Sequence, residues 1–122
     1  MTTGSRPTFL VVDDEVDLLA LLQFMLDDAE VLVASDGTVA RRLLREHRVD
    51  VLLLDVTMPG EDGPMLLGRL RDEGLAPPVV HLMSAIPRSA LLDLCASHDA
   101  LPLAKPFTAT QLRRVLAEHL PA

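Results

Sequence analysis

Tyrosine and tryptophan are absent from this chain, phenylalanine occurs three times, and cysteine and lysine occur once each. Each shortage excludes something. With so few rings, the core has to be built from Leu, Val, Ala and Met. A single cysteine rules out an internal disulfide and a cysteine-rich metal site; Cys95 lies in an apolar helical segment and reads as a small core residue. No apolar run approaches the ~20 residues of a membrane span, and the short polar start from Met1 to Pro7 is no signal peptide. The expectation is a soluble, cytoplasmic chain with no membrane partner. Basic residues are outnumbered, 11 against 18 acidic, for a formal charge of −7. That balance argues against direct nucleic-acid binding, which needs a basic stripe. The arginines around 41–48 read as the solvated face of a helix. A Gly-rich phosphate loop is also missing, because Asp13-Asp14-Glu15 stands where one would follow the first strand.

What is present is alternation. At 122 residues, 49% hydrophobic and 24% charged, the chain has the size and composition of one globular domain. Short apolar runs at Thr8–Val12, Glu30–Ala34, Val49–Leu54, Pro77–Met83 and "LPLA" (Leu101–Ala104) read as strands buried on both faces. Between them lie helical periods. "EVDLLALLQFMLDD" carries apolar residues at 18, 21, 22 and 25, and "TVARRLLREH" sets Val39, Leu43 and Leu44 opposite its arginines after the Asp36-Gly37 turn. "PMLLGRLRDEG" ends at Gly74, and "PRSALLDLCASH" starts after Pro87. The last helix opens with a capping box, Thr108 and Gln111, presents Leu112, Val115 and Leu116 on one side, and stops near Leu120-Pro121. Five strands alternating with five helices predict a doubly wound parallel α/β sheet with helices on both faces.

Ligands of such sheets bind at the carboxyl ends of the strands. The first strand ends in Asp13-Asp14, the third in Asp55 followed by Thr57, the fourth in Ser84-Ala85 and the fifth in Lys105. Singly, each residue has an ordinary explanation: a helix cap, a turn, a helix entry, a surface lysine. Together they form a chemical set. Converging carboxylates must take up protons or share a cation, and oxygen donors suit Mg²⁺ or Mn²⁺ rather than zinc. An ammonium and a hydroxyl beside such a cation suit a phosphoryl group, with a carboxylate as nucleophile. Histidines 47, 81, 98 and 119 show no metal-site spacing; His81, mid-strand, reads as a packed, hydrogen-bonded core residue.

The stretches "FLVVDDE" (9–15), "LLLDVTMPGEDG" (52–63), "LMSA" (82–85) and "KPF" (105–107) resemble the receiver domain of two-component response regulators, the CheY-like family. The resemblance covers essentially the whole chain. It implies a single (βα)₅ receiver over residues 1–122 with flavodoxin-like strand order 2-1-3-4-5 and no output domain. It also implies that Asp55 accepts a phosphoryl group from a sensor histidine kinase or phosphotransfer protein. Asp14 would be a direct Mg²⁺ ligand and Asp13 would act through water, with Asp55 and the Thr57 backbone carbonyl completing the protein's share. Ser84 would meet the phosphoryl group across the space left by Ala85, and Lys105 would pair with Asp55 and then with a phosphoryl oxygen. The Lys105-Pro106 bond would be of a kind often cis. The output surface would be the face of the fourth helix, fifth strand and fifth helix, which is also compatible with homodimerisation.

One departure stands out. The position three before the lysine, usually aromatic in receivers, is Pro102, so the usual serine-to-aromatic coupling cannot operate as such. Proline there also predicts an edge strand. Two rival readings follow. A pseudo-receiver binding its partners without phosphorylation is favoured by Pro102 and opposed by the complete set of site residues. An aspartyl-nucleophile phosphohydrolase would need a general acid two positions after Asp55, where Thr57 stands. Ile86, apolar where a polar residue could guide an attacking water, predicts slow autodephosphorylation. Replacing it, Ile86→Glu, should shorten the phosphoryl half-life several-fold; a half-life that barely moves would remove Ile86 from that role.

Overall fold

The structure, a computed structural model, describes residues 6–26 and 29–119. The elements run β1 (Thr8–Val12), α1 (Val16–Met25), β2 (Glu30–Ala34), α2 (Gly37–Glu46), β3 (Val51–Asp55), α3 (Gly63–Asp72), β4 (Val79–Ser84), α4 (Arg88–Ser97), β5 (Leu101–Ala104) and α5 (Ala109–Glu118). The strands form one sheet in the order β2-β1-β3-β4-β5, every neighbouring pair parallel. The expected α/β architecture and strand order are both present, and the Pro102 strand is at an edge. β3 and β4 each begin two residues later than their apolar runs suggest and include one more polar residue at the rim, Asp55 and Ser84. Asp50 is spent otherwise: its carboxylate accepts from the Thr8 amide at 2.8 Å. The expected stop at Leu120-Pro121 and the Leu116 side chain lie outside the described residues.

Because side chains alternate across each strand, the apolar runs feed two cores. Leu10, Val12, Leu52, Leu54, Val80 and Leu82 pack with Ala40 and Leu44 of α2, Leu66, Leu67 and Leu70 of α3, and Leu91 and Cys95 of α4. Phe9, Val11, Val51, Leu53, Met83 and Leu103 pack with Leu19 and Leu22 of α1 and Leu112 and Val115 of α5. Each fully buried leucine contributes about 1.5–3 kcal/mol.

Two helix faces differ from expectation. On α1 Leu19 and Leu22, followed by Leu26, are buried and Leu18 and Met25 pack partly against the same core, while Leu21, on the expected stripe, and Phe24 are exposed. α1 is so uniformly apolar that several phases fit a helical period, and only contact with the sheet selects one. On α2 the arginines do more than meet solvent. Arg41 is half-buried, 3.3 Å from Glu73 and 3.6 Å from Glu61, and Arg69 reaches Glu61 at 2.7 Å, so ion pairs tie α2 to α3 and to the loop before it.

Capping sets the loops at the rim. Asp36 accepts from the Val39 amide at 2.9 Å and Asp62 from the Met65 amide at 2.8 Å. The capping box of α5 is complete: Gln111 N donates to Thr108 Oγ1 at 3.1 Å and Thr108 N to Gln111 Oε1 at 2.8 Å. Gly63 opens α3 directly on β3, where a Cβ would lie 2.2 Å from the Asp55 carbonyl oxygen. At Gly68, within α3, a Cβ would meet nothing within 4 Å. Two alanine substitutions should therefore act in opposite directions. Gly63→Ala should cost roughly 1–3 kcal/mol through overpacking, and Gly68→Ala should add about 0.5–1 kcal/mol through helix propensity. Urea titration followed by circular dichroism measures both.

Candidate functional site

The sheet keeps pairing one residue past each strand, and this fixes the rim. Asp13 N donates to the Ala34 carbonyl at 3.1 Å, Val56 N to Met83 at 2.9 Å and Lys105 N to Ser84 at 2.8 Å. Asp13, Asp55, Ser84 and Lys105 are thus held at adjacent strand ends by backbone hydrogen bonds rather than by loops. Asp13 is 0% exposed and Asp55 5%. Lys105 Nζ donates to Asp13 Oδ2 at 2.6 Å and to Asp55 Oδ1 at 3.2 Å, and lies 3.8 Å from Glu15 Oε1. Asp13 Oδ1 accepts from the Glu15 amide at 2.9 Å. One carboxylate therefore organises the turn into α1 and also receives the lysine.

Above these groups opens a cavity of about 480 Å³, lined by Asp14, Glu15, Asp55, Thr57, Ser84, Ala85, Ile86 and Lys105. Oxygens of Asp13, Asp14 and Asp55 lie within 4.8 Å of one another, with Asp14 at the solvent side. Ser84 is buried, and its Oγ accepts from the Ile86 amide at 3.1 Å. The Lys105-Pro106 bond is cis. All six sequence-nominated positions, Asp13, Asp14, Asp55, Thr57, Ser84 and Lys105, meet at this one rim. Two participants were not anticipated. Glu15 adds a carboxylate at the cavity wall, and Gly63 lets α3 start against the Asp55 carbonyl. Glu15 was legible as the third acid of "DDE"; the demand on Gly63 comes from a contact that no local pattern encodes.

Electrostatics at the rim are unbalanced. Burial, then the Asp13 charge, push the Asp55 carboxyl above its ordinary pKa, against the opposing pull of Lys105. Burial alone would lower the Lys105 ammonium, but the hydrogen bond and charge of Asp13, helped by Asp55, hold its pKa above the ordinary value. Lysine therefore remains a cation while the aspartates compete for it.

The response regulator receiver domain family matches residues 9–117. The transcriptional regulatory protein PrrA of Mycobacterium tuberculosis is 38% identical over 118 residues, covering 92% of this chain and 49% of that protein. Among solved structures, the receiver domain of the Francisella response regulator 1452 is 28% identical with a TM-score of 0.78, covering 92% of this chain and 94% of that one. The Vibrio cholerae chemotaxis protein CheY4 shares the fold at a TM-score of 0.85 and 24% identity, over 95% of this chain and all of that one.

The chain belongs to the response regulator receiver domain family. It spans about half the length of the curated relatives it matches. As a two-component receiver it is a signalling domain by family. Among its described residues no helix is long and apolar enough to cross a membrane.

The receiver's acidic cluster fits a metal ion on the chemistry of its donors: three carboxylates within reach of one point, two of them buried, sharing a single ammonium. Hard oxygen donors of this kind suit a hard divalent cation. The raised pKa of Asp55 has a consequence for stability. An acid whose folded pKa exceeds its unfolded value costs folding energy once ionised, so stability is lost as pH rises from about the ordinary carboxyl value of 3.8 through the folded pKa. Asp55→Asn should therefore raise the thermal midpoint by a few degrees at pH 7, with the gain shrinking as pH falls towards 4. A lower midpoint for the variant at pH 7 would contradict this electrostatic picture.

Proposed function

We propose that this receiver is switched by phosphorylation of Asp55, the donor being a phosphohistidine on a partner sensor kinase or phosphotransfer protein. The observation that carries the proposal is the lysine bridge: a compact cation held between the nucleophile and a second buried carboxylate, at the mouth of a cavity sized for a phosphoryl group. An Asp55 carboxylate oxygen attacks phosphorus. A P–O bond forms as the P–N bond breaks, and the imidazole leaves with the bonding pair, neutral once it holds its proton.

Lys105 gives up its share of Asp55 and follows a phosphoryl oxygen, a motion suited to an ammonium on a flexible stem rather than to a planar guanidinium fork. The Ser84 hydroxyl, which now accepts from the Ile86 amide, turns to donate to a second oxygen, and the small Ala85 leaves room for it. Asp14, Asp55 and the Thr57 carbonyl would hold Mg²⁺, or Mn²⁺, with Asp13 acting through water. Held there, such an ion would supply positive charge to neutralise the phosphoryl oxygens.

The readout assigned to this switch is the α4–β5–α5 face, through an output partner or a second copy of the chain, with residues 1–122 acting as one receiver unit. Autodephosphorylation is the only turnover expected of it, and the cytoplasm its expected location. A second reading, a pseudo-receiver that binds constitutively, draws on Pro102, which is half-buried on the edge strand where an aromatic reporter would stand. A phosphohydrolase is disfavoured by Thr57, which is no acid. Incubation with Mg²⁺ and acetyl phosphate, followed by intact mass measurement, separates the three. One phosphoryl adduct that is lost in Asp55→Asn supports the switch. No adduct favours the pseudo-receiver, and steady turnover of phosphomonoesters favours the hydrolase.

A further inference from the structure

Two histidines meet on the α1/α5 side of the sheet, away from the acidic rim. His81, in the middle of β4, is 2% exposed, and its Nε2 lies 3.0 Å from Nε2 of His119, which directly follows α5. The rings are T-shaped, with centroids 5.3 Å apart, and Phe9 lies 6.4 Å from the His119 ring. Nδ1 of His81 meets no hydrogen-bond partner among the described residues. The surroundings are apolar: Leu53 and Leu101 flank His81 in register, and Leu103 and Val115 belong to the same core. Among the described residues, the charged or polar groups that act on His81 are Glu118 and His119 from the α5 side and the Pro102 carbonyl from β5.

A ring-to-ring N···N contact needs one donor and one acceptor. Two neutral rings supply that, and so does a pair sharing one extra proton. With both rings protonated, N–H faces N–H and the contact cannot survive. We propose that His81 and His119 form a proton-operated latch: with at most one extra proton the pair holds the end of α5 against β4, and a second proton releases it.

Geometry decides which side moves. β4 is hydrogen-bonded between β3 and β5, whereas His119 is only half-buried. Burial pushes the His81 pKa below its ordinary value of 6.5. A histidine depressed in this way contributes stability that is present above the unfolded value and lost as pH falls below it. The latch is therefore closed at neutral pH and opens in acid. Its existence does not rest on phosphorylation, although α5 forms part of the face proposed above for output.

Amide hydrogen exchange on the unphosphorylated chain tests the latch, read by NMR between pH 7.5 and 5 and corrected for intrinsic exchange. Protection at Val115 and Glu118 should fall up to about tenfold per pH unit once the second proton begins to bind, while β3 amides keep theirs. His119→Gln, which keeps a polar side chain but does not titrate, should flatten that dependence. Flat protection in the wild type would overturn the latch, as would parallel loss in β3 or an unchanged pH dependence in His119→Gln. If His119→Gln loosens the turn at every pH, the wild-type ring resonances decide: coupled titration of the two histidines supports the latch, and independent titration overturns it.

Discussion

Everything at the rim depends on one ammonium shared between two buried carboxylates. Lys105 reaches Asp13 at 2.6 Å and Asp55 at 3.2 Å, with Asp14 and Glu15 close by and no second lysine anywhere in the chain. Burying a carboxylate is costly unless a cation or hydrogen-bond donor meets it. One cation cannot satisfy both fully. Burial, then the Asp13 charge, therefore leave Asp55 with a raised pKa that the shared lysine only partly offsets, so the rim holds more negative charge than its one cation matches.

The fold supplies the precision this requires. Four strand ends place the groups, and backbone pairs that continue past the strands, Lys105 to Ser84 and Val56 to Met83, keep them from drifting. Gly63 brings α3 against the Asp55 carbonyl, and Asp62 caps the same helix from the loop that follows Thr57. Arg41 and Arg69 clamp Glu61 in that loop. These contacts lie in different parts of the sequence but converge on a single segment, 56–62, whose position sets what Asp55 can reach.

Much of this was legible in the sequence because it follows from short-range rules. Strand runs buried on both faces, the Thr108–Gln111 box and the placement of polar residues at strand ends depend on a few neighbouring residues, and those features match the observed sheet. What was not legible depends on contact. The α1 stripe was only partly legible: Leu18, Leu22 and Met25 do pack on the core, but Leu21 is exposed and Leu19 is buried, because a helix this apolar offers several stripes and only the sheet chooses between them. Arg41 read as a solvated residue because its partners, Glu61 and Glu73, lie 20 and 32 positions away. The steric demand on Gly63 and the pairing of His81 with His119 are likewise invisible until distant segments are brought together.

Pro102 now has a physical setting. It lies opposite Leu82 on the edge strand, next to the Leu101–His81 pair and two residues before Ala104, which pairs with Ser84. A side-chain reporter at this place would move by rotating, but proline has no such freedom, because its ring fixes φ. Any displacement that begins at Ser84 therefore meets β5 through the backbone, at the Lys105 amide bonded to the Ser84 carbonyl. β4 makes another connection from the same strand: His81, three residues before Ser84, contacts the end of α5 directly. Strand β4 thus carries the rim hydroxyl of Ser84 at one end and meets the end of α5 near its middle, so it links the rim to α5 without an aromatic intermediary.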